Sequence, residues 1–106
     1  MRGKLWLAIV VAALAVSSAG AAAAETISVM IKGLKFTPAE ITVHVGDTIV
    51  WTNQDFVAHT ATARDKAWDV MVPAGKSGSL KIETASDAEY FCRFHPMMKG
   101  KISAAN

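Results

Sequence analysis

The stretch CRFHPMM, residues 92–98, holds the only cysteine of the 106-residue chain. Cys92, His95 and Met98 follow one another at intervals of three, so one tight loop can turn a thiolate, an imidazole and a thioether toward a common point. In an exported protein, a cysteine without an internal partner forms an intermolecular disulfide, acts as a reactive thiol or binds a metal. Soft sulfur beside imidazole favours the third role, in a transition-metal site.

An upstream histidine can complete this donor set. Two imidazoles and a thiolate in a trigonal plane, with a long axial methionine bond, make up a type 1 copper site. His59 follows a polar stretch that ends the alternation around Trp51, so a loop at a neighbouring strand end can supply it. His44 competes for this place. It lies on the polar side of the alternation at 41–45, however, and we expect it on a solvated strand face.

The motif C-x2-H-x2-M at 92–98, together with the WTN…HT segment at 51–60, resembles the cupredoxins, a family of type 1 blue-copper proteins. The short gap between histidine and methionine looks most like the amicyanin group. Plastocyanin- and pseudoazurin-like members have a longer gap, at which this chain offers Gly100. The resemblance covers residues 25–106 and implies a Greek-key β-sandwich with one copper ion at one end.

The resemblance also implies the copper ligands, residue by residue: His59, Cys92, His95 and Met98. The family spacing selects Met98 over its neighbour Met97. In this assignment Cys92 couples most strongly to the metal, and Met98 tunes the reduction potential from the axial position.

Two departures from the family pattern lie beside these ligands. Family members commonly carry proline on the N-terminal side of the second ligand histidine, where this chain has Arg93-Phe94. They often carry asparagine after the first ligand histidine, where this chain has Thr60. Both changes are expected to alter hydrogen bonding around the sulfur, and hence the potential. We further expect Asn53 and Thr60 to brace the ligand loops.

The resemblance implies a one-electron carrier that works outside the cytoplasm. It further implies redox partner proteins such as a dehydrogenase or a c-type cytochrome, and we expect a monomer, since a carrier of this size needs only a weak, small interface. Clustered apolar side chains mark docking surfaces. Four residues of the two loops predict one around the second ligand histidine: Phe56, Phe94, Pro96 and Met97.

Two other functions stay open at the level of sequence. A copper-binding or delivery protein uses similar donors but needs no tight Cys-His-His plane. An enzyme could use Cys92 as nucleophile with a histidine as base, although no oxyanion-hole or triad motif accompanies it.

Residues 1–24 show the pattern of a secretory signal peptide. Arg2 and Lys4 precede an apolar run at 5–16, and small residues lead up to Ala24. The run is shorter than the ~20 residues of a spanning helix, so we expect cleavage after Ala24, a periplasmic or otherwise exported protein, and no membrane association of the mature chain. Without this segment nine basic residues face nine acidic ones, and no basic cluster supports a nucleic-acid partner.

The remainder of the chain predicts a single all-β domain. Short alternating segments are separated by glycine, proline and aspartate, and several such segments at close spacing favour an antiparallel sandwich or barrel. The predicted strands are 26–32, 41–45, 48–52, 70–72, 79–84 and 88–92, with a further short one at 101–103. No amphipathic stretch of ordinary helical length is present in the sequence after residue 24.

Overall fold

The computed structural model describes residues 23–106, and all but the last two residues of the predicted signal peptide lie outside this range. Within it the chain forms nine strands and no helix: β1 Thr26–Ile31, β2 Phe36–Thr37, β3 Glu40–His44, β4 Thr48–Asn53, β5 His59–Ala63, β6 Asp69–Val72, β7 Ser77–Lys81, β8 Asp87–Phe91 and β9 Lys99–Ala105. A helix capable of crossing a bilayer is therefore absent from the described part of the chain.

The strands form two sheets that pack as a sandwich. One sheet has the order β2-β1-β4-β7 and the other the order β3-β9-β8-β5-β6. The predicted all-β, Greek-key sandwich is thereby confirmed. The expectation of antiparallel pairing is wrong for two strand pairs: β1 runs parallel to β4, and β3 runs parallel to β9. Between β1 and β4 the chain crosses to the second sheet and back, which lets β4 lie beside β1 in the same direction.

Tyr90 lies at the centre of the core between the sheets. Its ring centroid is 5.6 Å from that of Trp51 and 5.7 Å from that of Trp68, and its hydroxyl accepts a hydrogen bond from Trp51 Nε1 at 3.2 Å. Burial raises the pKa of Tyr90 to about 12. A Cβ atom at Gly100 would lie 2.2 Å from Tyr90 Cζ, so only glycine fits beneath this ring. This packing anchors β8 two residues before Cys92.

Two strands were not predicted from the sequence. β2 is only two residues long. β5 has the sequence HTATA, and all five of its residues are buried, so it lacks the alternation that identifies a half-exposed strand. His59 is consequently the first residue of a strand rather than part of a loop.

Candidate metal centre

The loop at 92–98 connects β8 to β9 and closes on itself through three backbone hydrogen bonds. Cys92 N donates to Met98 O at 3.2 Å, His95 N donates to Cys92 O at 3.2 Å, and Met98 N donates to His95 O at 2.9 Å. The first and last residues of the loop are therefore neighbours. Both are buried, with Cys92 0% and Met98 2% exposed.

β5 brings a second imidazole to this loop. Cys92 Sγ lies 3.6 Å from His59 Nδ1 and 3.8 Å from His95 Nδ1, and the three donor atoms lie within 4.8 Å of one another. With metal bonds of about 2.3 Å to sulfur and about 2.0 Å to nitrogen, a trigonal plane separates sulfur from nitrogen by about 3.7 Å. The observed distances fit one metal ion between these three atoms.

The remaining candidates separate by burial. Met98 lies inside, whereas Met97 is 68% exposed. His44 is exposed at the end of β3, outside the cluster, and its Nδ1 lies 4.0 Å from Asp47 Oδ2. The structure brings four side chains together in a type 1 site-like arrangement: His59, Cys92, His95 and Met98.

The Asp55 carboxylate, which was not predicted from the sequence, contacts the His59 ring on the side away from Cys92. Asp55 Oδ2 lies 2.9 Å from His59 Nε2. The backbone amides of Leu34 and Gly33 donate to the same carboxylate at 3.1 and 2.7 Å and hold the pKa of Asp55 below its ordinary value. Because a carboxylate accepts hydrogen bonds, Asp55 favours the tautomer of His59 in which Nε2 donates and Nδ1 faces the cysteine sulfur.

The backbone aims these two amides. Gly33 and Leu34 have φ values of 63° and 61°, a left-handed conformation that is uncommon for leucine. The only trace of this arrangement in the sequence is an aspartate four residues before His59. The turn that meets it lies more than twenty residues away, and spacing alone does not reveal it.

Asn53 spans the loop between β4 and β5. Its Nδ2 donates to Val57 O at 2.9 Å and to Val72 O at 3.0 Å, while its Oδ1 accepts from Asp55 N at 2.8 Å. The side chain is 1% exposed, so these bonds are shielded from water. They fix the loop that carries Asp55 and leads into His59.

Thr60 contacts the sulfur and the residue that follows it. Its backbone N–H donates to Cys92 Sγ at 3.4 Å, and its hydroxyl accepts from Arg93 N at 2.9 Å. The Arg93 side chain reaches Asp69 with Nε–Oδ1 and Nη2–Oδ2 distances of 3.1 and 3.2 Å. The Thr62 hydroxyl and the Arg93 guanidinium hold the pKa of Asp69 below its ordinary value.

Of the four donor side chains, only that of His95 reaches the surface, where it is half-buried. The loops around it expose a set of apolar side chains, which we call the apolar rim: Leu34, Phe56, Val57, Phe94, Pro96 and Met97. Phe56 is 99% exposed. Leu34, which the sequence did not single out, lines one cavity together with Met97 and Met98.

Comparison with known proteins agrees with this geometry. The sequence matches the cupredoxin-like domain family over residues 5–104. It is 26% identical over 85 residues to amicyanin from Paracoccus versutus, covering 74% of this chain and 64% of that protein. It is 30% identical over 82 residues to amicyanin from Paracoccus denitrificans, covering 72% of this chain and 63% of that protein. The matched region thus spans just under two thirds of the length of each of these relatives.

Solved structures give the same result. An oxidized methionine-to-leucine variant of amicyanin matches with a TM-score of 0.68 and 28% identity, over 74% of this chain and 80% of that one. Amicyanin variants have also been solved in the Cu(I) form. Copper suits the donor set found here, which combines one thiolate, two imidazoles and a thioether. The chain belongs to the cupredoxin-like domain family, and the relatives it resembles are amicyanins.

Proposed function

We propose that this protein is an exported type 1 copper protein that carries single electrons between redox partners. The observation that carries the proposal is the convergence of Cys92 Sγ with His59 Nδ1 and His95 Nδ1, at 3.6 and 3.8 Å, beside the buried Met98. Bound copper supplies a one-electron Cu(I)/Cu(II) couple, and this mixed sulfur and nitrogen donor set suits both states.

In this role the chain's own part is to keep the donors still. Asp55 fixes the orientation of the His59 ring, and Thr60 N–H fixes the position of the cysteine sulfur. The backbone bonds of the 92–98 loop hold the other donors. Donors that stay in place require little rearrangement when an electron arrives or leaves, which favours fast transfer.

A role for Cys92 as an enzymatic nucleophile has little support. Reactive cysteines are partly exposed, whereas this side chain is 0% exposed. Its sulfur also receives a backbone hydrogen bond and faces two imidazoles rather than an open cleft. A carrier needs no access to the sulfur itself, because an electron can pass through the ring of His95.

We place electron entry and exit at the edge of His95, with the apolar rim as the docking surface. Within the rim we assign docking to the four residues expected from the sequence: Phe56, Phe94, Pro96 and Met97. The partners are redox proteins such as a dehydrogenase or a c-type cytochrome, met by a monomeric carrier through a small, short-lived interface.

Charge placed within the rim tests this docking surface. Phe94→Asp and Met97→Asp should slow electron transfer to a physiological partner. The matched control is Val45→Asp, because Val45 is 39% exposed at the opposite end of β4. Docking through the rim would be refuted by equal rates for all three variants and the wild type.

Reductive titration tests the carrier function itself. The copper-loaded protein should take up one electron per chain and return it to an oxidant over repeated cycles without loss of copper. A copper-delivery protein should instead release its ion to an acceptor when reduced. Release of the metal upon reduction would therefore contradict the carrier function and support delivery.

We further propose export with cleavage after Ala24, leaving a domain of residues 25–106. In support, the first tertiary hydrogen bonds of the described chain involve Glu25, whose N donates to Asp47 Oδ1 at 2.9 Å and whose O accepts from Thr48 N at 2.9 Å. Ala24 itself is exposed. Mass spectrometry of the protein recovered from the periplasm should give the mass of residues 25–106. The mass of the full chain would refute cleavage.

A further inference from the structure

Hydrogen bonds link the ligand loop to β5 and β6 in a closed ring. Arg93 N donates to Thr60 Oγ1 at 2.9 Å, and Thr60 Oγ1 lies 2.9 Å from Thr62 Oγ1. Thr62 Oγ1 lies 2.6 Å from Asp69 Oδ1, and the Asp69 carboxylate receives the guanidinium of Arg93 at 3.1 and 3.2 Å. The ring thus starts and ends at Arg93.

The direction of each bond follows from the number of protons. A hydroxyl carries one proton, and the short contact from Thr62 is to a carboxylate, which accepts only. Thr62 is the donor in both of its contacts, so its single proton is shared between Asp69 Oδ1 and Thr60 Oγ1, and the shorter contact is the one to Asp69. Thr60 Oγ1 accepts from Arg93 N and from Thr62, so the Thr62 hydroxyl links the Asp69 carboxylate to Thr60, and linked hydrogen bonds of this kind rigidify a polar network.

Two features set the Arg93 ion pair apart from an ordinary surface pair, which contributes little to stability. Its contact with Asp69 is bidentate, and a fork of this kind fixes geometry as well as charge. The Asp69 carboxylate also accepts a hydrogen bond from Thr62, which is 7% exposed. Thr62 in turn contacts Thr60, which is 0% exposed. The exposed ion pair is therefore connected to the buried residue whose amide contacts the cysteine sulfur.

We propose that Arg93 and Asp69 are positioning residues that hold the Thr60 N–H on the Cys92 sulfur and thereby raise the reduction potential of the site. The physical reason is that a hydrogen bond draws electron density from the thiolate, which weakens its donation to the oxidised metal. This inference rests on the proposed copper site.

The first test uses the metal-free protein. Arg93→Met and Asp69→Asn open the ring, and loss of one hydrogen bond of about 1 kcal/mol should make hydrogen exchange of the Thr60 amide roughly five- to tenfold faster. The matched control is Arg64→Met. Arg64 is a similarly exposed arginine with one ion pair to Glu89 at 3.9 Å, and its guanidinium lies over a phenylalanine ring. Exchange in this control should equal that of the wild type.

The second test uses the copper-loaded protein. Arg93→Met should have a lower reduction potential than Arg64→Met, although both changes remove one positive charge. Arg93→Lys keeps the charge but loses the fork, so its potential should lie nearer that of Arg93→Met than that of the wild type. Equal exchange rates and equal potentials in Arg93→Met and Arg64→Met would overturn the positioning role.

The two proposals fail in different ways. A wild-type protein without a thiolate-to-copper absorption band would refute the copper site, while the exchange experiment would still decide whether the ring holds Thr60. A normal band, with Arg93→Met indistinguishable from Arg64→Met, would refute only the positioning role.

Discussion

Two aspartate–histidine pairs lie at opposite ends of β4, and only one of them belongs to a metal site. At one end, Asp47 lies 4.0 Å from the exposed His44. At the other end, Asp55 lies 2.9 Å from the fully buried His59. Each aspartate also accepts two backbone amide hydrogen bonds, Asp47 from Glu25 and His44 and Asp55 from Gly33 and Leu34. Both carboxylates thus accept backbone amide hydrogen bonds, but only that of Asp55 lies within hydrogen-bond distance of its histidine.

The difference shows what converts a histidine into a ligand. His44 is exposed, and its Nδ1 lies 4.0 Å from Asp47 Oδ2, beyond hydrogen-bond distance. His59 is held through Nε2 and directs Nδ1 at Cys92 Sγ, 3.6 Å away. A carboxylate behind the ring orients the imidazole and raises its basicity toward a metal. Both ends of β4 carry the same pair of residue types. Burial of the histidine and the nearby Cys92 sulfur make His59, and not His44, a candidate ligand.

The largest expected effect comes from removing each histidine in turn. His59→Ala should lower copper affinity by more than the roughly hundredfold that loss of a supporting residue can cost, because it deletes a donor. His44→Ala should leave affinity and absorption spectrum unchanged. Copper titration followed by visible absorption measures both variants, and comparable losses in the two would contradict the assignment of His59.

This contrast was partly predictable from the sequence. The spacing of Cys92, His95 and Met98 lies within one loop, so local spacing was enough to bring them together. The alternation of His44 with apolar neighbours predicts an exposed strand face, and the structure confirms that the residue is exposed. The alternation failed at Val45, which is 39% exposed because β3 ends one residue earlier.

The supporting contacts were not predictable in the same way. Asp55 meets amides more than twenty residues away, and Asp69 meets Arg93 across the end of the second sheet. Such contacts depend on sheet order and register, which a single sequence does not specify. The sequence did not predict β5 because this strand is buried on both faces, and its residues therefore lack the alternation of apolar and polar side chains that marks a half-exposed strand.

Replacing each aspartate by asparagine should separate their roles. Asp55→Asn is expected to weaken copper binding by about ten- to a hundredfold, the usual cost of losing a carboxylate behind a ligand histidine. Asp47→Asn should leave copper affinity unchanged but lower the melting temperature of the metal-free protein by about 4–8 °C. Copper titration and thermal unfolding of both variants provide the measurement. A loss of copper affinity in Asp47→Asn would break the contrast between the two ends.

Acid should reveal the structural role of Asp47. The backbone amides of Glu25 and His44 hold the pKa of Asp47 below its ordinary value. A lowered carboxyl pKa adds stability that is fully present above about pH 4 and is lost as the pH falls through the folded-state value. The free energy of unfolding of metal-free Asp47→Asn should therefore fall less steeply below about pH 4 than that of the wild type. His44→Ala keeps both amide donors and loses only the weaker effect of the His44 charge, so it should retain most of the wild-type slope.

The smallest expected effect concerns the N-terminus at Glu25 that the proposed cleavage after Ala24 would create. A protein that begins at Glu25 places its α-ammonium 2.9 Å from Asp47 Oδ1, which converts a neutral hydrogen bond into a charge-assisted one. Acetylation of this amine keeps an N–H donor but removes the charge, and should lower the melting temperature by about 2–4 °C. In Asp47→Asn acetylation should have no effect, and an equal shift in both proteins would contradict the ion pair.

The copper site itself is tested most directly by adding Cu(II) to the protein of residues 25–106 and to its Cys92→Ser variant, and recording visible and EPR spectra. The wild type should develop an intense thiolate-to-copper band and an EPR signal that saturates at one ion per chain. Cys92→Ser should remain folded but lack the band and give a different EPR signal. A wild type without the band, or a Cys92→Ser variant with the wild-type spectra, would contradict the assignment of a cysteine-centred copper site.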